Sequence, residues 1–163
     1  MRETIIIRNA RLLLTCAGTA PRCGSAQGDV GHIQHASVVA VDGRIVFAGP
    51  AGEGDRLYPP DLALRVIDAA GCTVIPGLVD PHTHVVFGGD RRDELQRRLA
   101  GASYAEIAAQ GGGILSTVRA TRAASEDELV DATRARLDGM LHCGTTTCEA
   151  KSGYGLDTET ELK

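Results

Sequence analysis

The sequence predicts an α/β protein with a β-rich N-terminal part. Short β-prone runs separated by turn signals fill about the first 75 residues, a pattern typical of all-β structure. An apolar strand at residues 78–84 then leads into helical segments and a second β-prone run at residues 145–150. Strand, helices and strand in this order are typical of the first units of a β/α barrel. We therefore predict two domains, residues 1–75 and residues 76–163.

In the N-terminal part, the strongest local signal is Asp42-Gly43 between two β-prone runs, because a type I′ hairpin turn needs positive φ angles. The segment at residues 17–31 is rich in Gly, Ala and Pro, so we predict a loop that ends with His32 and His35. No helical pattern surrounds these two histidines, so we expect them to be solvated rather than metal-bound. Residues 49–62 also read as a loop. Strands are predicted at residues 4–15 (one or two strands), 37–41, 44–48, 65–68 and 72–75.

In the second part, two capping boxes mark the starts of helices. Ser103 with Glu106 and Ser125 with Glu128 have the spacing in which a hydroxyl and a carboxylate satisfy backbone N–H groups reciprocally. Gly144 follows the second helical run and is placed to end it. Two strands do not close a barrel, which takes about eight. We therefore expect this chain to be the N-terminal part of a longer protein.

Composition excludes several classes of protein. A net charge of -4 gives no electrostatic footprint for nucleic acid, and no apolar run reaches the roughly 20 residues that span a bilayer. Five cysteines, an odd number without a Cys-x-x-Cys pair, favour reduced thiols in the cytoplasm over a secreted disulfide framework. We expect a small-molecule substrate and neither a nucleic-acid nor a membrane partner. A homo-oligomer stays open.

The residues that point most clearly to chemistry are His82 and His84. Side chains alternate along a strand, so these two histidines project to the same face, together with Asp80. Neutral imidazole is a frequent ligand of zinc and iron. The alternative is that both histidines are ordinary polar residues on a strand. Asp80 is either a hydrogen-bond partner of a ligand histidine or a cap of the turn at Pro81.

Three segments carry a resemblance to a known family: DPHTHVVFGGDR, LAGASYAEIAAQGGGILSTVRATRAASEDEL and CEAKSGYGLDTETELK. The first resembles the opening barrel strand of the metal-dependent amidohydrolase superfamily. The chain from about residue 74 to residue 163 resembles, more closely, the imidazolonepropionase family. The resemblance implies a small β-sandwich beside a truncated (β/α)8 barrel, and one divalent ion, zinc or iron. It also implies that His82 and His84 bind the ion with a further histidine and an aspartate from outside this chain.

The resemblance also assigns substrate contacts. It places Arg91 at the substrate-binding arginine, for a propionate group, and a guanidinium recognises a carboxylate through two parallel hydrogen bonds. Tyr154, between two glycines after the second barrel strand, and Tyr104 are the other candidates for the pocket. Arg92 is expected to be a solvated surface residue. For Lys151 we favour a structural ion pair with Glu149 or another carboxylate over a catalytic role.

The expected reaction is the hydrolysis of 4-imidazolone-5-propanoate to N-formimidoyl-L-glutamate in histidine degradation, by metal-activated water. The general acid or base is expected outside this chain, so the chain alone is expected to be inactive. Two alternatives stay open. One is another cyclic-amide hydrolase or deaminase of the same superfamily, and the other is a non-catalytic fragment.

Overall fold

The structure is a computed structural model that describes residues 3–19 and 21–163. The chain divides into two compact units, Met1–Pro76 and Gly77–Lys163. The first unit is built on a mixed β-sheet and the second combines helices with two parallel strands. The chain is therefore an α/β protein, as predicted.

One five-stranded sheet forms the first unit. Its strands run in the spatial order β3-β2-β1-β4, and β5 also pairs with β1. The first three strands are antiparallel, whereas β4 and β5 run parallel to β1. The strands are β1 (Thr4–Leu14), β2 (His32–Val41), β3 (Arg44–Pro50), β4 (Arg65–Asp68) and β5 (Thr73–Val74). The β-sandwich stays a prediction, because the described strands of this unit form one layer.

The hairpin between β2 and β3 confirms the turn that the sequence predicts. Asp42 and Gly43 have φ angles of 51° and 76°, which is the geometry of a type I′ turn. The start of β2 differs from the prediction, because His32 and His35 lie on the strand and not in a loop. His35 has a φ of 51°. This angle interrupts the regular extended backbone, which explains why the N-terminal end of β2 does not read as a strand.

The predicted loop over residues 49–62 is wrong in its first half, where α1 (Ala51–Leu57) forms. Because glycine is among the weakest helix formers, two glycines in seven residues made this segment read as a loop. Gly54 is buried, and a Cβ atom there would lie 3.0 Å from Phe47 Cε1 and 3.1 Å from Ser37 Cβ. Close packing of the helix against the sheet therefore requires the glycine.

The second unit has two parallel strands connected through a series of helices. Its elements are β6 (Leu78–Thr83), α2 (Arg92–Leu99), α3 (Tyr104–Ala109), α4 (Ile114–Ala123), α5 (Glu126–His142), β7 (Thr145–Ala150) and α6 (Thr158–Glu161). Both capping boxes are present, at the starts of α3 and α5. Gly144, with a φ of 95°, ends α5 as predicted. No helix in the described ranges is both long and apolar enough to cross a bilayer.

Burial is uneven in the second unit. The buried side chains of Val85, Ile107, Val118 and Leu129 lie at the end of β6 and on the helices. On β6, by contrast, Leu78 and Val79 are 48% and 65% exposed. A two-stranded sheet leaves its edges and much of its faces uncovered, which accounts for the exposed apolar side chains.

The loop after β7 is held by a carboxylate and a guanidinium. Glu161 Oε1 accepts hydrogen bonds from the backbone N–H groups of Gly155 and Leu156, each at 2.8 Å. Arg122 Nε donates to the carbonyl oxygen of Gly155 at 2.8 Å, and its guanidinium pairs with Asp157 at 2.9 Å. These contacts join the loop to α4 and α6. The N–H groups of Leu156 and Gly155 also lower the pKa of Glu161.

The role of Gly54 is testable by comparison with Gly52 on the same helix. Glycine to alanine in a helix interior stabilises by up to about 1 kcal/mol when the site has room. At Gly52 nothing lies within 4 Å of the added Cβ, so we expect Gly52→Ala to be stabilising. We expect Gly54→Ala to be at least about 1 kcal/mol less stable than Gly52→Ala in chemical denaturation, because of the overpacking. Equal stability of the two variants would contradict the packing argument.

The lowered pKa of Glu161 predicts a pH dependence of stability. A carboxyl group whose pKa is depressed in the folded state stabilises the protein above its unfolded pKa, about 4.3, and loses this effect as pH falls through the folded value. We expect the stability difference between the unsubstituted protein and Glu161→Gln to be largest above about pH 5 and to shrink in acid. Thermal unfolding across this pH range measures it. Glu159→Gln, at an exposed position of the same helix, should follow the unsubstituted protein.

Candidate functional site

The two predicted ligand histidines lie at the end of β6. His82 is in the strand, and His84 follows directly after it. Their rings are 5.4 Å apart, centroid to centroid, at an angle of 82°. The His82 side chain is 64% exposed, whereas His84 is half-buried. Asp80 Oδ1 accepts a hydrogen bond from the backbone N–H of His82 at 3.3 Å, so the contact that Asp80 makes is a local cap of the Pro81 turn.

The parallel strand β7 brings a carboxylate to His82. Glu149 Oε2 lies 3.6 Å from His82 Nδ1, and Glu149 Oε1 lies 3.1 Å from Lys151 Nζ. The predicted ion pair between Lys151 and Glu149 is therefore confirmed. A carboxylate next to a ring nitrogen favours one tautomer and one orientation of the imidazole. The proximity of Glu149 to His82 depends on the register of β6 and β7, which the sequence did not specify.

A glycine lies directly against His84. A Cβ atom on Gly153 would be 2.9 Å from His84 Cε1 and 3.0 Å from His84 Nδ1, and the φ angle of Gly153 is 156°. A side chain at this position would displace the ring. His84 Nδ1 is buried and has no hydrogen-bond partner among the described residues. A ring nitrogen in this condition is available to a ligand, since buried polar groups normally have a partner.

Tyr154 lies on the other side of His84. The two ring centroids are 5.4 Å apart, and the Phe87 ring packs on Tyr154 at 5.7 Å. A cavity of about 650 Å³ adjoins Tyr154 and runs along α5, where Leu129, Val130 and Leu137 contribute to its wall. Neither histidine lines this cavity. Tyr154 thus lies between the histidine pair and a partly apolar hollow in the same unit.

Arg136 on α5 contacts Phe87, the ring that packs on Tyr154. Its guanidinium carbon lies 3.5 Å from the centroid of the Phe87 ring, a cation–π arrangement. Its Nη1 also donates to the carbonyl oxygen of Val85 at 2.9 Å, and partial burial lowers the pKa of Arg136. Sequence reasoning missed this residue, because only the folded connection between β6 and α5 brings it to Phe87.

The predicted substrate arginine, Arg91, lies at the start of α2 and is already paired. Arg91 Nε and Nη2 lie 2.8 Å and 2.6 Å from Glu94 Oε2. The other carboxylate oxygen, Glu94 Oε1, accepts a hydrogen bond from the backbone N–H of Gly113 at 2.7 Å. The hydrogen bond with Arg91 lowers the pKa of Glu94, and the same bond raises the pKa of Arg91. Glu94 is a second residue that sequence reasoning missed.

The remaining candidates are close to Arg91 or exposed. Tyr104 and Tyr154 both lie near enough to Arg91 to raise its pKa electrostatically. The Tyr104 side chain is largely exposed at the start of α3, and Arg92 has a side chain that is 89% exposed beside Asp90. Arg92 is a surface residue, as predicted. The roles of Arg91, Tyr104 and Tyr154 in substrate binding stay predictions.

The donor set fits part of a metal site. His82 and His84 supply two imidazoles, one of them with an unpaired buried nitrogen. Within residues 3–19 and 21–163, no group of three or more His, Cys, Asp or Glu side chains is arranged to hold a metal ion. A catalytic zinc usually has three protein ligands. These residues can therefore provide two ligands, and a complete site needs further ones.

Comparison with known proteins finds amidohydrolases and, among them, imidazolonepropionases. Residues 65–141 match the Amidohydrolase family. The imidazolonepropionase of Symbiobacterium thermophilum is 54% identical over 159 residues, covering 98% of this chain and 37% of that protein. The imidazolonepropionase of Rubrobacter xylanophilus is 48% identical over 160 residues, covering 98% of this chain and 39% of that protein. The chain thus spans less than two-fifths of the length of these curated relatives.

Among solved structures, the crystal structure of A. niger ochratoxinase aligns with 99% of this chain and 28% of that chain. The TM-score is 0.50 and the sequence identity 19%, so this likeness concerns the fold alone. Identity near 50% across almost the entire chain is the more specific observation. Over almost its entire length, the chain therefore resembles part of an imidazolonepropionase.

Proposed function

We propose that this chain is the part of an imidazolonepropionase that supplies two metal ligands and the arginine that binds the substrate carboxylate. The reaction is the hydrolytic opening of the ring of 4-imidazolone-5-propanoate to N-formimidoyl-L-glutamate. The observation that carries the proposal is the grouping of His82, His84 and Tyr154 at the carboxyl ends of β6 and β7, with Arg91 at the start of the helix that follows β6. The 54% identity to an imidazolonepropionase favours this substrate over those of other cyclic-amide hydrolases and deaminases.

We also propose that β6 and β7 are two strands of a (β/α)8 barrel. They are parallel and joined by helices, which is the repeating unit of that fold. The exposed apolar side chains of β6 support the proposal, since neighbouring strands of a barrel would cover them. Active sites of such barrels lie at the carboxyl ends of the strands, the end at which His82, His84 and Tyr154 are found.

In the proposed mechanism, His82 and His84 hold one divalent ion, zinc or iron. Such an ion, when bound, makes water nucleophilic at neutral pH and polarises a carbonyl group. Glu149 places a carboxylate 3.6 Å from His82 Nδ1, beside one of the two proposed ligands. Gly153 leaves the space in which the His84 ring lies. We assign no proton transfer to residues of this chain.

Substrate binding is assigned to three side chains. Arg91 receives the propionate carboxylate through N–H groups that Glu94 does not occupy. Tyr154, in the loop after β7, packs against His84 and Phe87, and Tyr104 at the start of α3 is the third proposed contact. We propose a cytoplasmic location, in keeping with five free cysteines.

The metal assignment predicts the effect of replacing His82. In the protein as its gene encodes it, we expect His82→Ala to lose most of the bound zinc or iron and to lower kcat by at least about a hundredfold. Elemental analysis of the purified protein and a turnover assay measure the two effects. His142→Ala, in the last turn of α5, is the matched control and should retain both. Unchanged metal content in His82→Ala would refute the assignment.

The arginine assignment predicts a difference between two neighbouring positions. Lysine keeps the charge of arginine but loses the planar fork that binds a carboxylate at two points. We expect Arg91→Lys to raise KM for 4-imidazolone-5-propanoate about tenfold or more, with a smaller effect on kcat. Arg92→Lys, at the exposed neighbouring position, should leave both constants within about twofold. Steady-state kinetics measure both variants. Equal KM values for the two would contradict the assignment of Arg91 to substrate binding.

A further inference from the structure

Glu94 links two segments that are distant in the sequence. Its Oε2 accepts hydrogen bonds from the Arg91 guanidinium, and its Oε1 accepts one from the N–H of Gly113, which precedes α4. The Glu94 side chain is only 13% exposed, against 40% for Arg91. Hydrogen bonds to charged groups are stronger than neutral ones. The carboxylate therefore has both oxygens engaged and little freedom to move.

The Gly113 N–H that donates to Glu94 is held in place by the backbone conformation of Gly113. Gly113 has φ 71° and ψ -156°, a region that is accessible essentially only to glycine. A Cβ atom at this position would lie 3.3 Å from the Tyr104 hydroxyl. At the preceding Gly112, a Cβ would lie 2.7 Å from Cγ2 of Ile107, which is fully buried. The N–H that Glu94 contacts is thus held next to the buried part of α3.

Among the described residues, Glu94 is the hydrogen-bond partner of the Arg91 guanidinium, and it occupies one edge of that group. A guanidinium has five N–H donors in a planar fork. Glu94 Oε2 takes the edge formed by Nε and Nη2. The terminal edge, formed by Nη1 and the second N–H of Nη2, has the geometry for a second carboxylate. Because the first edge is fixed, the direction of the second edge is fixed as well.

We propose that Glu94 is a positioning residue for the binding of the substrate carboxylate: it holds Arg91 by one edge so that the other edge is presented to the substrate. This inference rests on the proposed function of Arg91. A further consequence concerns charge. Glu94 offsets the positive charge of Arg91. Binding of the substrate carboxylate therefore depends on two aligned hydrogen bonds, and an anion that cannot form both is bound weakly.

Kinetics of Glu94→Gln test the inference in the protein as its gene encodes it. The amide has one acceptor oxygen in place of two, so it cannot serve both Gly113 and Arg91. We expect KM for 4-imidazolone-5-propanoate to rise about tenfold while kcat stays within about twofold. Glu94→Asp, which keeps the charge but has a shorter reach, is the second variant and should show the same rise. A residue that only stabilised the fold would not change KM selectively.

Glu128→Gln is the matched control. Glu128 also accepts hydrogen bonds at a helix start, from Ser125, and its replacement changes the net charge by the same amount. We expect its KM to equal that of the unsubstituted protein. If Glu94→Gln and Glu94→Asp both keep the KM of the unsubstituted protein, the positioning role is overturned.

A second readout needs no substrate. The Arg91 Nε–H exchanges slowly with water when it is hydrogen-bonded, and nuclear magnetic resonance with Arg91→Lys as the assignment control measures this rate. We expect exchange to be several-fold faster in Glu94→Gln and unchanged in Glu128→Gln. An unsubstituted protein that does not hydrolyse 4-imidazolone-5-propanoate overturns the proposed function. Unchanged exchange in Glu94→Gln overturns the positioning of Arg91, whatever the activity.

Discussion

The parallel pairing of β6 with β7 is the interaction on which the site depends. Thr83 pairs with Ala150, the Thr83 hydroxyl donates to the carbonyl oxygen of Glu149 at 2.6 Å, and the Lys151 N–H donates to the carbonyl oxygen of Thr83 at 2.9 Å. Parallel strands end at the same edge of a sheet. The segment that follows each strand is therefore brought to the same place, which is how His84 comes to lie against Gly153 and Tyr154.

Side chains from α4, α5 and α6 hold the segments that follow β6 and β7. Arg136 connects α5 to Val85 and Phe87, and Glu161 with Arg122 fixes the loop that carries Tyr154. Apart from the cation–π contact with Phe87, these contacts are hydrogen bonds with backbone groups of loops, where regular secondary structure supplies no partners. The ring of Tyr154 is consequently positioned by residues from α4, α5 and α6, of which Arg122 and Arg136 are distant from it in sequence.

What the sequence predicted correctly depends on local interactions. The capping boxes at Ser103 and Ser125 and the turn at Asp42 need only residues within one or two turns of the chain. Helix α1 was missed for the opposite reason. Gly54 lowers local helix propensity, but it permits the approach of Phe47 and Ser37 from the sheet.

The same distinction applies to the site. His82 and His84 are candidates because of their spacing along one strand, and the family resemblance indicates Arg91 and Tyr154; the roles of all four stay predictions. Their partners Glu149, Glu94 and Arg136 could not be identified, because each partnership depends on a register or a helix position set by tertiary structure. The one exception is Lys151, which directly follows β7 and has its partner Glu149 only two residues away.

The charges around the site are arranged in pairs. Arg91 lies against Glu94, Lys151 against Glu149, and Arg122 against Asp157. At partly exposed positions such pairs contribute little to stability and are screened by salt, so stability alone does not explain why three of them surround one edge of a sheet. Each pair offsets a positive charge, and in the pair of Arg91 with Glu94 the carboxylate also fixes the direction of the guanidinium. If Arg91 binds the substrate carboxylate as proposed, the direction of its hydrogen bonds contributes more to recognition than its charge does.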